Sequence, residues 1–229
     1  AVLCVSADDD VRAVVQALAV PAARGKCVVD SSTVSADTAR QAARTLAEVG
    51  ARFVDAPVTG GTEGARLARL NFMVGGAPAD VEAVRPLFDA MGARAVHMGA
   101  TGAGQAAKAV NQVVAAGINQ AVAQGLAFAD ALGLPLEKIV EVVGSGAAGS
   151  WFMQNRGPFM AAGHYPPGFR VALHLKDLRI CQAMARNLGG ALPVVDQTAQ
   201  DYARLVADGH GDEDTAALYR LQAGRFAGG

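Results

Sequence analysis

The chain has 229 residues, of which 52% are hydrophobic and 18% charged, and its formal net charge is −1. This composition suits a globular protein with a large core, in one large domain or two small ones, and it excludes a basic surface that would attract nucleic acid or a membrane. The chain has no apolar run long enough to span a bilayer and no recognisable signal peptide.

Residues 1–5, AVLCV, are short, apolar and β-prone, and they read as a buried central strand. Asp8, Asp9 and Asp10 offer N-cap chemistry to a helix over residues 11–18. Residues 26–30, KCVVD, form a second buried strand, and Ser35 is placed to cap a helix over residues 36–49. Residues 51–54 are a third strand, so strands and helices alternate as in a parallel sheet. Residues 55–64, DAPVTGGTEG, read as a turn-rich loop, followed by a short strand at 72–74, an amphipathic helix at 79–91 and a strand at 93–97. Beyond about residue 99 Ala, Leu, Gly and Val dominate and strand signals vanish. Helices are expected at 104–132, 136–144, 150–162, 170–188, 194–208 and 214–223, punctuated by Gly and Pro.

The expected architecture is therefore an α/β domain over residues 1–100 and an all-α domain over residues 101–229, joined by one long helix. At about 1.5 Å per residue that helix runs on the order of 43 Å, and a cleft between two such domains is where small ligands usually bind. Cys4, Cys27 and Cys181 are odd in number and widely spaced, which fits neither a disulfide framework nor a zinc site and points to a reducing cytoplasm. None of His97, His164, His174 and His210 sits in a metal-ligand spacing, so no metal is expected.

Gly102-x-Gly104-x-x-Ala107 matches a dinucleotide fingerprint, following a strand and opening a helix. The fingerprint also needs a second parallel strand ending in an acid that reads the ribose. No such strand follows, and Asp130, at a plausible distance, lies inside the helix. The glycines are better read as allowing a tight turn and a close helix start. No other Gly-rich phosphate loop occurs upstream, so the expectation is that a first β-α-β unit belongs before residue 1.

Four segments carry chemistry. VDSST, residues 29–33, brings hydroxyls to the carboxyl edge of the sheet, where α/β folds bind ligands; its other reading is a helix cap. DAPVTGG, residues 55–61, is a proline-braced loop in which Thr59, Gly60 and Gly61 can present a hydroxyl and main-chain N–H groups to an anion; its other reading is an ordinary turn. Lys108, Asn111 and Gln112 share one face of the long helix, and a lysine among Ala107, Ala109 and Val110 needs a partner unless its stem only covers apolar neighbours. In GFRVALHLKDL, residues 168–178, Lys176 and Asp177 interrupt an otherwise amphipathic helix, whose other reading is a solvated face.

In this order and spacing the four segments resemble the β-hydroxyacid dehydrogenase family, which includes 3-hydroxyisobutyrate dehydrogenase and tartronate semialdehyde (2-hydroxy-3-oxopropionate) reductase. DAPVTGG resembles the family's substrate loop, GAGQAAKAVNQ its catalytic signature, and LHLKDL its cofactor-side K-D-L. The resemblance covers essentially the whole chain and implies a Rossmann domain, N-terminally incomplete here by roughly 60 residues, followed by an all-α domain. It also implies NAD or NADP as cofactor, the two not being distinguishable from these residues, and a homodimer or homotetramer. By the same resemblance Lys108 is the catalytic lysine, Asn111 orients it or the substrate, and Thr59, Gly60, Gly61 and Gln112 bind the substrate. Thr33 contacts the nicotinamide half of the cofactor, Val5 and Ser6 lie near the nucleotide, and Lys176 reaches the cofactor. Thr59 departs from the usual Ser, Ser6 stands where Pro is common, and Arg66 and Arg69 are unusual after the loop.

The implied reaction is reversible hydride transfer between the nicotinamide and a short 3-hydroxy acid, with Lys108 giving or taking the hydroxyl proton. Positive charge beside the oxygen stabilises the alkoxide, and apolar surroundings favour a lysine's neutral amine. The substrate side-chain pocket is expected to draw on Trp151, Phe152 and His174. The alternatives are an imine-reductase-like enzyme, against which Lys108 argues; a 6-phosphogluconate-type decarboxylating enzyme, which would need a basic cluster; and a non-catalytic binding or scaffold domain. A small apolar row on the long helix, from Val110 through Val114, Gly117, Ala121 and Gly125 to Phe128, is the expected subunit interface; its other reading is a face covered by residues 136–223 of the same chain.

Overall fold

A computed structural model of the chain describes residues 1–226. The chain divides into two compact units, Ala1–Asn111 and Gln112–Gly229.

The first unit runs β1 (Val2–Leu3), α1 (Asp8–Leu18), β2 (Cys27–Asp30), α2 (Ala36–Glu48), β3 (Arg52–Asp55), β4 (Val58–Thr59), α3 (Gly61–Arg66), β5 (Leu70–Gly75), α4 (Pro78–Ala83), α5 (Arg85–Met91) and β6 (Gly92–Gly99), and takes in the start of α6 (Ala103–Ala131). β1, β2 and β3 are parallel, with Val2 opposite Val29 and Val28 opposite Phe53. β5 then runs antiparallel to β3 and β4 and parallel to β6. Both faces of the strands are apolar, as a sheet covered on two sides requires. Val28 and Phe53 pack with Leu3, Val11, Val15 and Leu46 beneath α1 and α2. Val29 and Val54, one residue on and so on the opposite face, pack with Phe72, Val81 and Phe88 beneath α4 and α5.

Several local expectations change in the folded chain. β1 is shorter than residues 1–5 and pairs on one side only, with β2, so it stands at the end of the described strand order rather than at its centre. Asp8 does not cap α1; the cap residue is Ala7, whose N–H donates to Asp10 Oδ2 at 3.0 Å. Asp8 instead accepts from Ser35 N–H at 3.0 Å and the Thr38 hydroxyl at 2.7 Å, joining α1 to the start of α2. Ser35 caps α2 as expected, accepting from Thr38 N–H. The segment 55–64 is not all loop, because Val58 and Thr59 pair with Phe72 and Asn71 and α3 follows. The helix expected over 79–91 breaks at Val84, since Pro86 has no N–H to continue it. The one expected over 150–162 breaks likewise at Arg156, two residues before Pro158.

The second unit contains the rest of α6, then α7 (Leu136–Gly144), α8 (Trp151–Asn155), α9 (Gly157–Ala162), α10 (Val171–Asn187), α11 (Pro193–Ala207) and α12 (Leu218–Gly224), the last preceded by a 3₁₀ turn over Thr215–Ala217. Leu126, Met160, Leu178, Tyr202, Leu205 and Leu218 fill its core. Buried amides also hold α6 there. Asn119 Nδ2 donates to Tyr202 OH and to Thr215 O, each at 2.9 Å, and Gln120 Nε2 donates to Asp201 at 3.2 Å. Each satisfies a polar group that would otherwise be costly to bury. Val114, Ala121, Gly125 and Phe128 on α6 are exposed, as is Val110, and Gly117 is half-buried. No helix among the described residues is long and apolar enough to cross a membrane.

Candidate active site

In the first unit two edges converge on one helix start. β2 ends at Asp30, and the chain that follows is tied to the chain after β1, because Val5 N–H donates to Ser32 Oγ at 2.9 Å. Val5 and Thr33 are half-buried and Ser6 is exposed. Asp30 is wholly buried and accepts from Ser32 N–H at 2.9 Å; burial raises its carboxyl pKa against that hydrogen bond. The Ser31 hydroxyl is buried with no hydrogen-bond partner among the described residues. An unsatisfied hydroxyl beside the carboxyl ends of parallel strands fits a polar ligand such as a dinucleotide at that edge.

β3 ends at Asp55, also wholly buried, which accepts from Gly102 N–H at 2.7 Å and Gln105 N–H at 3.0 Å. The N–H groups that a pyrophosphate would need at a fingerprint over 102–107 are thus taken up inside the chain. Burial raises the Asp55 carboxyl pKa and these N–H groups oppose it. The approach is close enough to demand glycine at 104: a Cβ there would collide with Met73 O and stand 2.7 Å from Asp55 O. One turn further along α6, Lys108 is only 8% exposed, and its Nζ donates to Val58 O at 2.9 Å. Val58 precedes Thr59, which is half-buried, and Gly60 and Gly61, which are exposed. Their φ angles of 129° and 63° lie where side chains are strained, and turns of this kind can offer main-chain N–H groups to an anion. Asn111, three residues beyond Lys108, is half-buried.

In the second unit Gln112 and Lys176 meet on one carboxylate. Gln112 Nε2 donates to Asp177 Oδ2 at 2.6 Å, and Lys176 Nζ stands 3.0 Å from Asp177 Oδ1. Asp177 is buried and Lys176 half-buried on α10. His174 does not line an open pocket: it is 0% exposed, with Nδ1 3.2 Å from Tyr202 OH and its ring 4.8 Å from that of Phe169. Trp151 is exposed, meets Phe152 edge-on and lies under the Arg156 guanidinium at 4.9 Å.

Asp55, Gln105 and Asp177 are given no role by the sequence reading, yet Asp177 binds the candidates Gln112 and Lys176, Gln105 binds the main chain on both sides of Thr33, and Asp55 holds the start of α6. Asp177 had a weak signal, an acid on an apolar helix three residues after His174. Gln105 had another, the one polar side chain in the small-residue first turn of α6. Nothing local marks Asp55, because its partners lie 47 and 50 residues away.

Comparison with known proteins follows these two units. Residues 1–99 match the family model described as the NAD-binding domain of 6-phosphogluconate dehydrogenase, and residues 102–222 the one described as NAD-binding of NADP-dependent 3-hydroxyisobutyrate dehydrogenase. An uncharacterized oxidoreductase of Shewanella frigidimarina is 40% identical over 97% of this chain and 78% of its own. The 2-hydroxy-3-oxopropionate reductase of Escherichia coli is 35% identical over 85% of this chain and 67% of its own. The solved 3-hydroxyisobutyrate dehydrogenase of Mycobacterium tuberculosis, described with L-serine, is 32% identical with a TM-score of 0.85, covering 96% of this chain and 78% of that one. A Rossmann-like unit followed by a helical one, matched along nearly its whole length, means that this chain belongs to the β-hydroxyacid dehydrogenase family and is an NAD(P)-dependent hydroxyacid dehydrogenase of the 3-hydroxyisobutyrate dehydrogenase type.

Proposed function

We propose that the enzyme interconverts a short 3-hydroxy acid, of the 3-hydroxyisobutyrate or glycerate/tartronate semialdehyde type, with its carbonyl form, and that Lys108 carries the proton. The observation that carries this reading is Lys108 itself. It is a nearly buried lysine whose Nζ donates to the carbonyl of Val58 at 2.9 Å, in the strand that leads into Thr59, Gly60 and Gly61. The nicotinamide cofactor, when bound, supplies or accepts the hydride. Thr59, Gly60 and Gly61 hold the acid group with the Thr59 hydroxyl and main-chain N–H groups, which fixes the reacting carbon. Lys108 donates its proton to the oxygen during reduction and takes it back during oxidation, and its charge stabilises the developing alkoxide. Asn111, on the same helix face, orients Lys108 or the substrate oxygen, and Gln112 contributes to substrate binding. Val5, Ser6 and Thr33 face the cofactor from the carboxyl edge of the sheet, and Lys176 is a further cofactor-binding residue.

The substrate assignment is supported by relatives named 2-hydroxy-3-oxopropionate reductase and 3-hydroxyisobutyrate dehydrogenase. The enzyme should turn over tartronate semialdehyde or 3-hydroxyisobutyrate in a panel that also includes L-serine and threonate, each with both cofactors. Lys108→Ala should lower kcat by about 10² to 10⁴ while leaving dinucleotide affinity nearly unchanged. Turnover near the wild-type rate in that variant would rule out the role given to Lys108. Subunits associate through the exposed row on α6, where Gly117, Ala121 and Gly125 let a second helix approach closely.

A further inference from the structure

Gln105 is 1% exposed, and its side-chain amide makes two hydrogen bonds to one short stretch of main chain. Oε1 accepts from Val34 N–H at 3.1 Å and Nε2 donates to Ser32 O at 2.8 Å. The carbonyl of one residue and the N–H two residues on are the groups that a parallel neighbour strand would bond, so the amide takes the place of such a strand beside Thr33. Glutamine suits this because it offers an acceptor and a donor side by side. The main chain of the same residue is also committed, with Gln105 N–H donating to Asp55 at 3.0 Å. Ser32 in turn accepts from Val5 N–H through its hydroxyl. The segments after β1 and β2 and the end of β3 are thereby fastened to the first turn of α6, and Lys108 follows three residues later on the same helix face.

We propose that Gln105 is a positioning residue for the dinucleotide: by clamping the main chain on both sides of Thr33, it holds residues 32–34 and, through Ser32, Val5 in the conformation that receives the cofactor. The proposal rests on the reading that Thr33 and Val5 face the cofactor. Without the amide, Ser32 O and Val34 N–H lose buried partners, and the stretch samples other conformations that binding must reorder. The cost therefore falls on dinucleotide affinity more than on the proton transfer at Lys108.

The experiment measures dissociation constants of NADH and NADPH by fluorescence titration of the enzyme without hydroxy acid, together with amide exchange at Val34. Gln105→Leu should weaken the preferred dinucleotide about tenfold or more, the loss of roughly one buried hydrogen bond, and speed Val34 exchange. Gln105→Glu supplies a readout that bulk destabilisation would not give. Its neutral carboxyl has both an acceptor and a donor, and its carboxylate has no donor. Its Kd should approach the wild-type value at acid pH and weaken as pH rises, a dependence absent from wild type; if Gln105→Leu fails to fold, this variant decides the matter. Thr33→Val separates the two readings. If it weakens binding while both Gln105 variants bind as wild type, the clamp is refuted and the cofactor edge stands. If neither it nor the Gln105 variants weaken binding, the cofactor edge and the clamp both fall. Weakening by the Gln105 variants alone upholds the clamp, with the main chain of 32–34 rather than the Thr33 side chain as the contact.

Discussion

Gly104→Ala should destabilise the first unit even though alanine is the better helix former. In an open helix interior the exchange favours alanine by about 1 kcal/mol. At this position the new methyl collides with Met73 O and comes within 2.7 Å of Asp55 O and 2.9 Å of Asp55 Oδ2. Unstrained C···O contacts lie near about 3.3 Å, and two of these oxygens belong to main chain held in the sheet, so the helix start has to recede by roughly half an ångström or more. Overpacking of this kind costs about 1–3 kcal/mol. Receding also stretches the two hydrogen bonds from Gly102 and Gln105 to Asp55, each worth about 1.5–3 kcal/mol when made to a charged group. Steric cost wins, with a net loss of about 1–3 kcal/mol, which lowers the melting temperature of a unit this size by roughly 5–15 °C. Lys108 lies one turn on, so its Nζ shifts relative to the loop at Val58, and on the role proposed for Lys108 kcat should fall by about 10- to 100-fold, the penalty of an ångström-scale misplacement. Scanning calorimetry and steady-state kinetics on the variant check both numbers. A melting temperature equal to or above wild type would refute the packing argument, because helix propensity would then have decided the outcome.

Asp8 gives a pH-dependent contribution. Burial raises its carboxyl pKa, but the Thr38 hydroxyl and the Ser35 N–H outweigh that and hold it below the ordinary carboxyl value of 3.8. A folded-state pKa below the unfolded one stabilises the fold at pH values above 3.8 and loses that contribution as pH falls through the lower folded value. Asp8→Ala should therefore be less stable than wild type at neutral pH, with the gap narrowing in acid; a gap independent of pH in urea titrations would contradict the assignment. Association through α6 predicts at least a dimer by light scattering at micromolar concentration, and Val114→Asp, on an exposed apolar position, should lower the mass. A wild-type monomer at that concentration would remove the interface.

Much of this enzyme is legible in its sequence, because its signals are local. The apolar runs CVVD and RFVD carry Val and Phe on both faces, so strands buried on two sides follow from composition alone. The 29-residue helix shows as a proline-free run after the last strand, and the segments VDSST, DAPVTGG, KAVNQ and LKD appear as motifs in order. Breaks at Val84 and Arg156 were also present locally, in Pro86 and Pro158, where amphipathic spacing across them suggested single helices. What sequence could not supply is pairing at a distance. β4 is two residues long and exists because Phe72 and Asn71 run antiparallel beside it, a partnership no propensity encodes. Asp8 reads as a cap and is taken instead by Ser35 and Thr38, since a carboxylate goes to the donors that folding brings nearest. The same holds for Asp55 and Gln105. Their chemistry is plain in one letter each, but their partners lie 47 to 73 residues away, and only the folded sheet with the start of α6 seated on its edge turns an acid and an amide into the fastenings of a site.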